Sequence, residues 1–288
     1  MKIDEIALLE SELAIATTDT ERIETLRKLV TTIFVFDLEK CLLYAERLLS
    51  LSRQLSDEAN QCLALCRMGY AKLAFGNFGD AISDLESALI IARSVQENTV
   101  EILTLNFIAQ YHQLTSNYTA AIDHYQSALA LAEKAHNQRL QATTLNNLGG
   151  LYSFLKQFEF GNVFQQQALD LHRQMSNDYG VAVSVGNIGL NFFYRGDLDS
   201  ALRCFEDALA IQCALNDKRG EAQSRTNIGL IFQEKSDGAQ ALQHFSQALR
   251  TAQANGLKFQ EAELFLNIGR LYTMFNLESH LNPIHAAR

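Results

Sequence analysis

Apolar residues recur along this chain at i, i+3, i+4 and i+7, the spacing of one face of an α-helix. Leu145, Leu148, Leu151 and Tyr152 mark one such stripe, and after a short polar break Phe158, Phe164, Ala168, Leu169 and Leu171 mark a second. The two-stripe pattern returns every forty residues: Gly149, Gly189, Gly229 and Gly269 share a column that Ala109 and Gly69 continue backwards. Ala81, Ala121, Gly161, Ala201 and Ala241 keep the same step, as do Ala88, Ala128, Ala168, Ala208 and Ala248. The pattern predicts an all-α chain of paired amphipathic helices. Turn chemistry falls where such pairs need it, inside a pair at Gly76–Asp80 and Arg195–Asp197, and between pairs at Asn177–Gly180 and Asn216–Gly220.

The small residues have a packing reason. Gly189 on a first helix and Ala201 on a second sit where two helix axes must approach closely, and Tyr152, Phe192, Phe232, Tyr125, Phe205 and Phe245 fill the space beside such spacers. The single proline, Pro283, leaves every earlier segment free to be helical.

A net charge of −9 and a pI near 5.3 speak against a nucleic-acid partner, since that affinity comes from Lys and Arg displacing counterions. The acidic start Asp4-Glu5 does not suit a signal peptide, and no apolar run reaches the ~20 residues of a membrane span. Five cysteines without zinc-finger spacing fit a reducing, cytoplasmic setting. Cys62 and Cys66 share a helical face, but no nearby histidine completes a metal site, so they read as buried thiols. No phosphate loop, HExxH or GxSxG is present, and the seven histidines are scattered. The expectation is a chain that is not an enzyme and takes no metal or cofactor.

The run Leu148-Gly149-x-x-Tyr152, with Ala or Gly twelve positions after the glycine and Ala nineteen after it, resembles the tetratricopeptide signature. The likeness spans roughly residues 20–276, although Leu105, Leu145 or Arg225 stands in the family's tryptophan slot and a longer polar connection replaces its closing proline. It implies an α-solenoid of about six helix-turn-helix units in a right-handed superhelix. A capping helix would occupy 1–19, with units near 20–58, 59–98, 99–138, 139–178, 179–218 and 219–258. The first helix of a further unit would cover 259–276, and a cap or truncated repeat 277–288. Because Leu281 and Pro283 interrupt a last second helix, the face carrying Leu264, Ile268 and Leu271 is expected to lack its usual cover.

The same resemblance gives meaning to a polar column, Asn147, Asn187, Asn227 and Asn267, two residues before each glycine. In tetratricopeptides this slot projects into the concave groove, where a carboxamide matches the donor and acceptor of a peptide bond. The column also fits a structural role, tying one repeat to the next. Phe193, Tyr194, Gln233, Asn106 and Gln110 are the other groove candidates. The implied function is a scaffold or regulatory module that binds a protein or peptide in its groove, such as the sensory part of a bacterial signalling protein. The alternatives are a homodimerisation scaffold, or the regulatory region of a signalling enzyme whose catalytic domain is absent.

Overall fold

The computed structural model describes residues 2–34 and 37–275. Among them are fourteen α-helices: α1 (Lys2–Ile15), α2 (Asp19–Ile33), α3 (Leu38–Gln54), α4 (Glu58–Ala74), α5 (Phe78–Ser94), α6 (Asn98–Leu114), α7 (Tyr118–Lys134), α8 (Gln138–Phe154), α9 (Phe158–Gln174), α10 (Asp178–Tyr194), α11 (Leu198–Ala214), α12 (Lys218–Glu234), α13 (Gly238–Ala254) and α14 (Lys258–Phe275). No strand occurs among the described residues. The chain is an all-α solenoid, and it divides into two compact units, Met1–Leu151 and Tyr152–Arg288. The segment 277–288, with Leu281 and Pro283, lies outside the described residues.

From α3 to α13 each helix has 17 residues, and three more make the turn to the next. The turns share one construction. Ser56, Gly76, Gln96, Ser116, His136, Lys156, Ser176, Gly196, Asn216, Ser236 and Gly256 all have positive φ and close their helices. The residue that follows does two jobs. The Asp57 amide donates to Ser52 O at 2.8 Å, ending α3, while its carboxylate accepts from the Asn60 amide at 3.0 Å, starting α4. Asn177, Asp197, Asp217 and Asp237 repeat the cap. Most of the positive-φ residues are not glycine, so turn composition alone marked only part of this period.

Close helix approach rests on the glycine column. A Cβ on Gly69 would lie 2.6 Å from Leu85, one on Gly189 would lie 2.9 Å from Cys204 and 3.0 Å from Phe205, and one on Gly229 would lie 2.5 Å from Phe245. Gly269 meets nothing within 4 Å among the described residues, so packing does not account for every member of the column. One expectation is corrected here. Leu264, Ile268 and Leu271 do not lack cover, because they are buried with Phe245 and Leu249 of α13. The apolar side chains that α14 leaves exposed are Phe259, Phe265, Leu266 and Met274.

The unit Tyr152–Arg288 departs from its own repeat pattern at one seam. Between α11 and α12 the contact is apolar, with Leu202 and Phe205 against Ile231, and between α13 and α14 it is Leu242 and Phe245 against Leu271. Between α9 and α10 the same three columns hold Asn162, Gln165 and Asn191. The Asn191 amide donates to Asn162 Oδ1 at 2.7 Å and to Gln165 Oε1 at 2.8 Å. Asn191 is fully buried, and its own oxygen has no donor.

A second irregularity carries a pH dependence. His172, near the end of α9, is 5% exposed, meets Asn177 at 3.1 Å, and fills the space a side chain at position 180 would take. Burial holds its imidazole below the ordinary value near 6.5, as it does for His124 and His244. The unfolded chain therefore takes up protons first, so the stability supplied by neutral His172 is present above about pH 6.5 and is lost as the pH falls below it. Gln212 occupies the equivalent place one repeat on, again opposite a glycine. The variant His172→Gln is expected to remain folded and to lose less stability than the parent between about pH 7 and pH 5.5, measured as urea midpoints at each pH.

Candidate functional site

The column of asparagines lies on first helices; in Met1–Leu151 its member Asn147 pairs with Asn106, a groove candidate outside the column, whose own slot on α6 holds Phe107. In Met1–Leu151, Asn106 on α6 is buried, donating from Nδ2 to Thr144 Oγ1 at 2.8 Å and to Ile102 O at 2.9 Å. Asn147 on α8 is exposed and donates to Asn106 Oδ1 at 3.1 Å. These two carboxamides bond each other across neighbouring first helices. Gln110, one turn beyond Asn106, is exposed.

In Tyr152–Arg288 the column borders open space. A recess of about 230 Å³ lies between α10 and α12, with Val183, Gly186 and Asn187 on one side and Gln223, Ser224 and Asn227 on the other. Gly186 borders open space, since a Cβ there would meet nothing within 4 Å. A second hollow of about 240 Å³ is lined by Phe193, Tyr194, Leu230 and Glu263. Leu190, Gln223 and Asn227 border both hollows. The structure thus brings Asn187, Asn227, Phe193 and Tyr194 to one surface.

Their chemistry is mixed. Asn227 is 8% exposed, and its Oδ1 accepts from Gln223 Nε2 at 3.3 Å. Asn187 is half-buried, whereas the Tyr194 ring is 64% exposed, stacks on Phe158 with 6.2 Å between centroids, and meets Phe193 edge-on. Arg225 is not available as a free cation, because it donates to Glu221 at 3.2 Å and to Gln247 at 2.6 Å. Burial pushes the Glu221 carboxyl up, but hydrogen bonds from Lys218 and Arg225 outweigh it and hold the group below the usual carboxylate range.

Two predicted residues of Tyr152–Arg288 do not join this surface. Asn267 on α14 is 7% exposed, and Gln233 near the end of α12 is half-buried with no donor to its Oε1; neither lines the two hollows. Leu190, Leu230, Gly186 and Glu263 were missed. The first two stand three residues after an asparagine of the column, one further turn along the same face, and that register was the signal available.

No group of three or more His, Cys, Asp and Glu among the described residues could hold a metal ion. Cys41, Cys62 and Cys66 are buried free thiols, and burial pushes Cys41 up to about 11 and Cys62 up to about 12, so neither supplies a thiolate. No helix among the described residues is long and apolar enough to cross a membrane.

A tetratricopeptide repeat family model matches residues 98–174 and 140–214. No curated protein sequence matches the chain significantly. Among solved structures the chain is similar to BtubC (BKLC) from P. vanneervenii, at 22% identity and a TM-score of 0.65, covering 76% of this chain and 92% of that one. It is also similar to a STAND protein with a tetratricopeptide repeat sensor from Pyrococcus horikoshii, at 14% identity and a TM-score of 0.68, over 88% of this chain and 41% of that one. A third similarity is to a Rap protein complexed with competence and sporulation factor, at 13% identity and a TM-score of 0.63, over 91% and 88% of the two chains. At these identities the likeness is one of fold.

Proposed function

Because this chain is a tetratricopeptide-repeat protein, we propose that it is a non-catalytic scaffold that holds an extended stretch of another polypeptide along α10 and α12. The observation that carries the reading is the shared wall of the two hollows. Asn187 and Asn227 offer donor–acceptor pairs at the spacing of successive first helices, while Leu190, Leu230, Phe193 and the exposed Tyr194 ring offer apolar anchorage beside them. A peptide backbone needs the first and its side chains use the second. The tetratricopeptide repeat sensor of the Pyrococcus horikoshii STAND protein, and the competence and sporulation factor complexed with the Rap protein, fit a regulatory module that reports occupancy of such a groove.

The test begins with partners recovered by the full chain and linear peptides made from them. Each neutral hydrogen bond contributes about 0.5–1.5 kcal/mol net, so Asn187→Ala with Asn227→Ala is expected to weaken a competing peptide by about five- to a hundredfold at unchanged helicity. Equal affinity in the folded double variant would overturn the carboxamide grip. Competition only by folded partners, never by linear peptides, would overturn the extended-peptide reading.

A further inference from the structure

Gln260, from the first turn of α14, lines the recess of about 230 Å³ between α10 and α12. Its column in the repeat holds Val100 and Leu140, which are buried apolar residues, and Gly180 and Gly220, which have no side chain. Gln260 is 7% exposed, yet among the described residues its carboxamide makes no hydrogen bond. A buried amide without a partner costs stability that an apolar side chain of the same shape would not, so folding alone does not account for a glutamine here. The carboxamide is not sealed inside the protein as the Asn191 oxygen is, and the space it borders is the recess.

The rest of the lining says what would answer it. Asn227 Oδ1 accepts from Gln223 Nε2 at 3.3 Å, which leaves Asn227 Nδ2 as a donor and Gln223 Oε1 as an acceptor. Gln212 and Ser224, both buried, meet each other at 2.7 Å. The two charged residues at the recess are of opposite sign: the Asp217 carboxylate is engaged by the Gly220 amide at 3.0 Å, and Arg219 is exposed, where solvent screens it. A single water takes about 30 Å³, so the recess has room for a side chain, and Val183 and Leu190 offer apolar contact to its methylenes. We infer that the recess takes one primary carboxamide side chain, glutamine or asparagine, of the polypeptide held along α10 and α12, with Gln260, Gln223 and Asn227 as its hydrogen-bonding partners. A carboxamide brings donors and acceptors together, as these three require. A carboxylate brings acceptors alone and an ammonium donors alone, each with a charge that the recess does not balance, and an apolar side chain leaves all three unmet. The subsite rests on the reading of α10 and α12 as a polypeptide-binding surface, and it adds a side-chain preference to a grip that otherwise reads only backbone.

The full chain, labelled with nitrogen-15, is titrated at neutral pH with N-acetylglutamine methylamide and with its methionine and glutamate counterparts, which keep the length but replace the carboxamide by a thioether or a carboxylate. The side-chain amide resonance of Gln260, identified by its loss in Gln260→Met, is expected to move saturably with the glutamine probe, which binds at least about tenfold more tightly than either comparison. In Gln260→Met, followed through the side-chain resonances of Gln223 and Asn227, that preference is expected to shrink several-fold. The free variant is expected to melt at the parent's temperature or above, because it no longer buries an unmet carboxamide. A parent that binds the methionine or glutamate probe as well as the glutamine probe, or a variant that keeps the full preference, would overturn the subsite. So would a variant that melts lower, which would show the carboxamide partnered within the chain. Linear peptides that compete while the glutamine probe does not bind would remove the subsite and leave the groove. A glutamine probe that binds a chain for which only folded partners compete would keep the subsite and remove the extended-peptide reading.

Discussion

Replacing Asn162, Gln165 and Asn191 together by Leu, Phe and Ile is expected to raise the stability of the chain by about 2–4 kcal/mol, read as a higher urea midpoint. The substituted residues are those the chain itself uses one repeat later, where Phe205 and Ile231 are 1% and 0% exposed. Two effects favour the triple variant and a third is close to neutral. The orphaned Asn191 oxygen disappears, and an unmet buried acceptor costs about 1–3 kcal/mol. The two remaining hydrogen bonds are lost with both partners, which is close to neutral. Apolar area replaces carboxamides at a seam where Ile188 and Phe192 are only half-buried, beside an open recess lined by Asn162 and Val163. The single variant Asn191→Ile should move the other way, losing about 1–3 kcal/mol, because it leaves the Asn162 and Gln165 oxygens without their donor. A triple variant no more stable than the parent would mean that the α9–α10 seam cannot close to the geometry of its neighbours.

These positions also mark where reading the sequence worked and where it stopped. The forty-residue period, the helix pairs and the tight contacts at Gly69, Gly189 and Gly229 were all legible, because packing forces the same small or large residue into the same slot each time. Asn162, Gln165 and Asn191 were not read as a group, although each breaks an apolar column. They lie on two helices, and only the fold shows that the three breaks meet. The asparagine column was legible as a line of positions but not as a set of environments. Asn147 donates to Asn106, which lies outside the column, while Asn187 and Asn227 border open space beside Gly186 and Leu190. Arg67 takes the asparagine slot on α4, and its burial against the ring of Phe34, the residue that caps α2, is not shown by any spacing in the sequence.

The second large effect concerns the junction between a second helix and the next first helix. At this junction the chain uses two solutions to one volume. Ala92 faces Val100 and Ala132 faces Leu140, whereas His172 faces Gly180 and Gln212 faces Gly220. A large residue on one helix always meets a small one on the other. Gly180→Leu alone is therefore expected to be destabilising by about 1–3 kcal/mol or more, since even its Cβ would sit 2.3 Å from His172 Nδ1. His172→Ala alone is expected to cost a similar amount, because it empties a buried site opposite a glycine and removes the partner of Asn177. Combining the two reproduces the pairing of Ala132 with Leu140 and also removes a glycine from the first turn of α10, a gain of about 0.8 kcal/mol in helix propensity. The double variant should recover most of the parent's stability, with a favourable coupling of about 1–3 kcal/mol between the two sites in a double-mutant cycle. Additive losses would show that His172 is held by something other than the space Gly180 leaves. Recovery would show that the repeats are interchangeable solutions to one packing problem. It would also abolish the His172 contribution to the pH dependence, because the only imidazole at this junction would be gone.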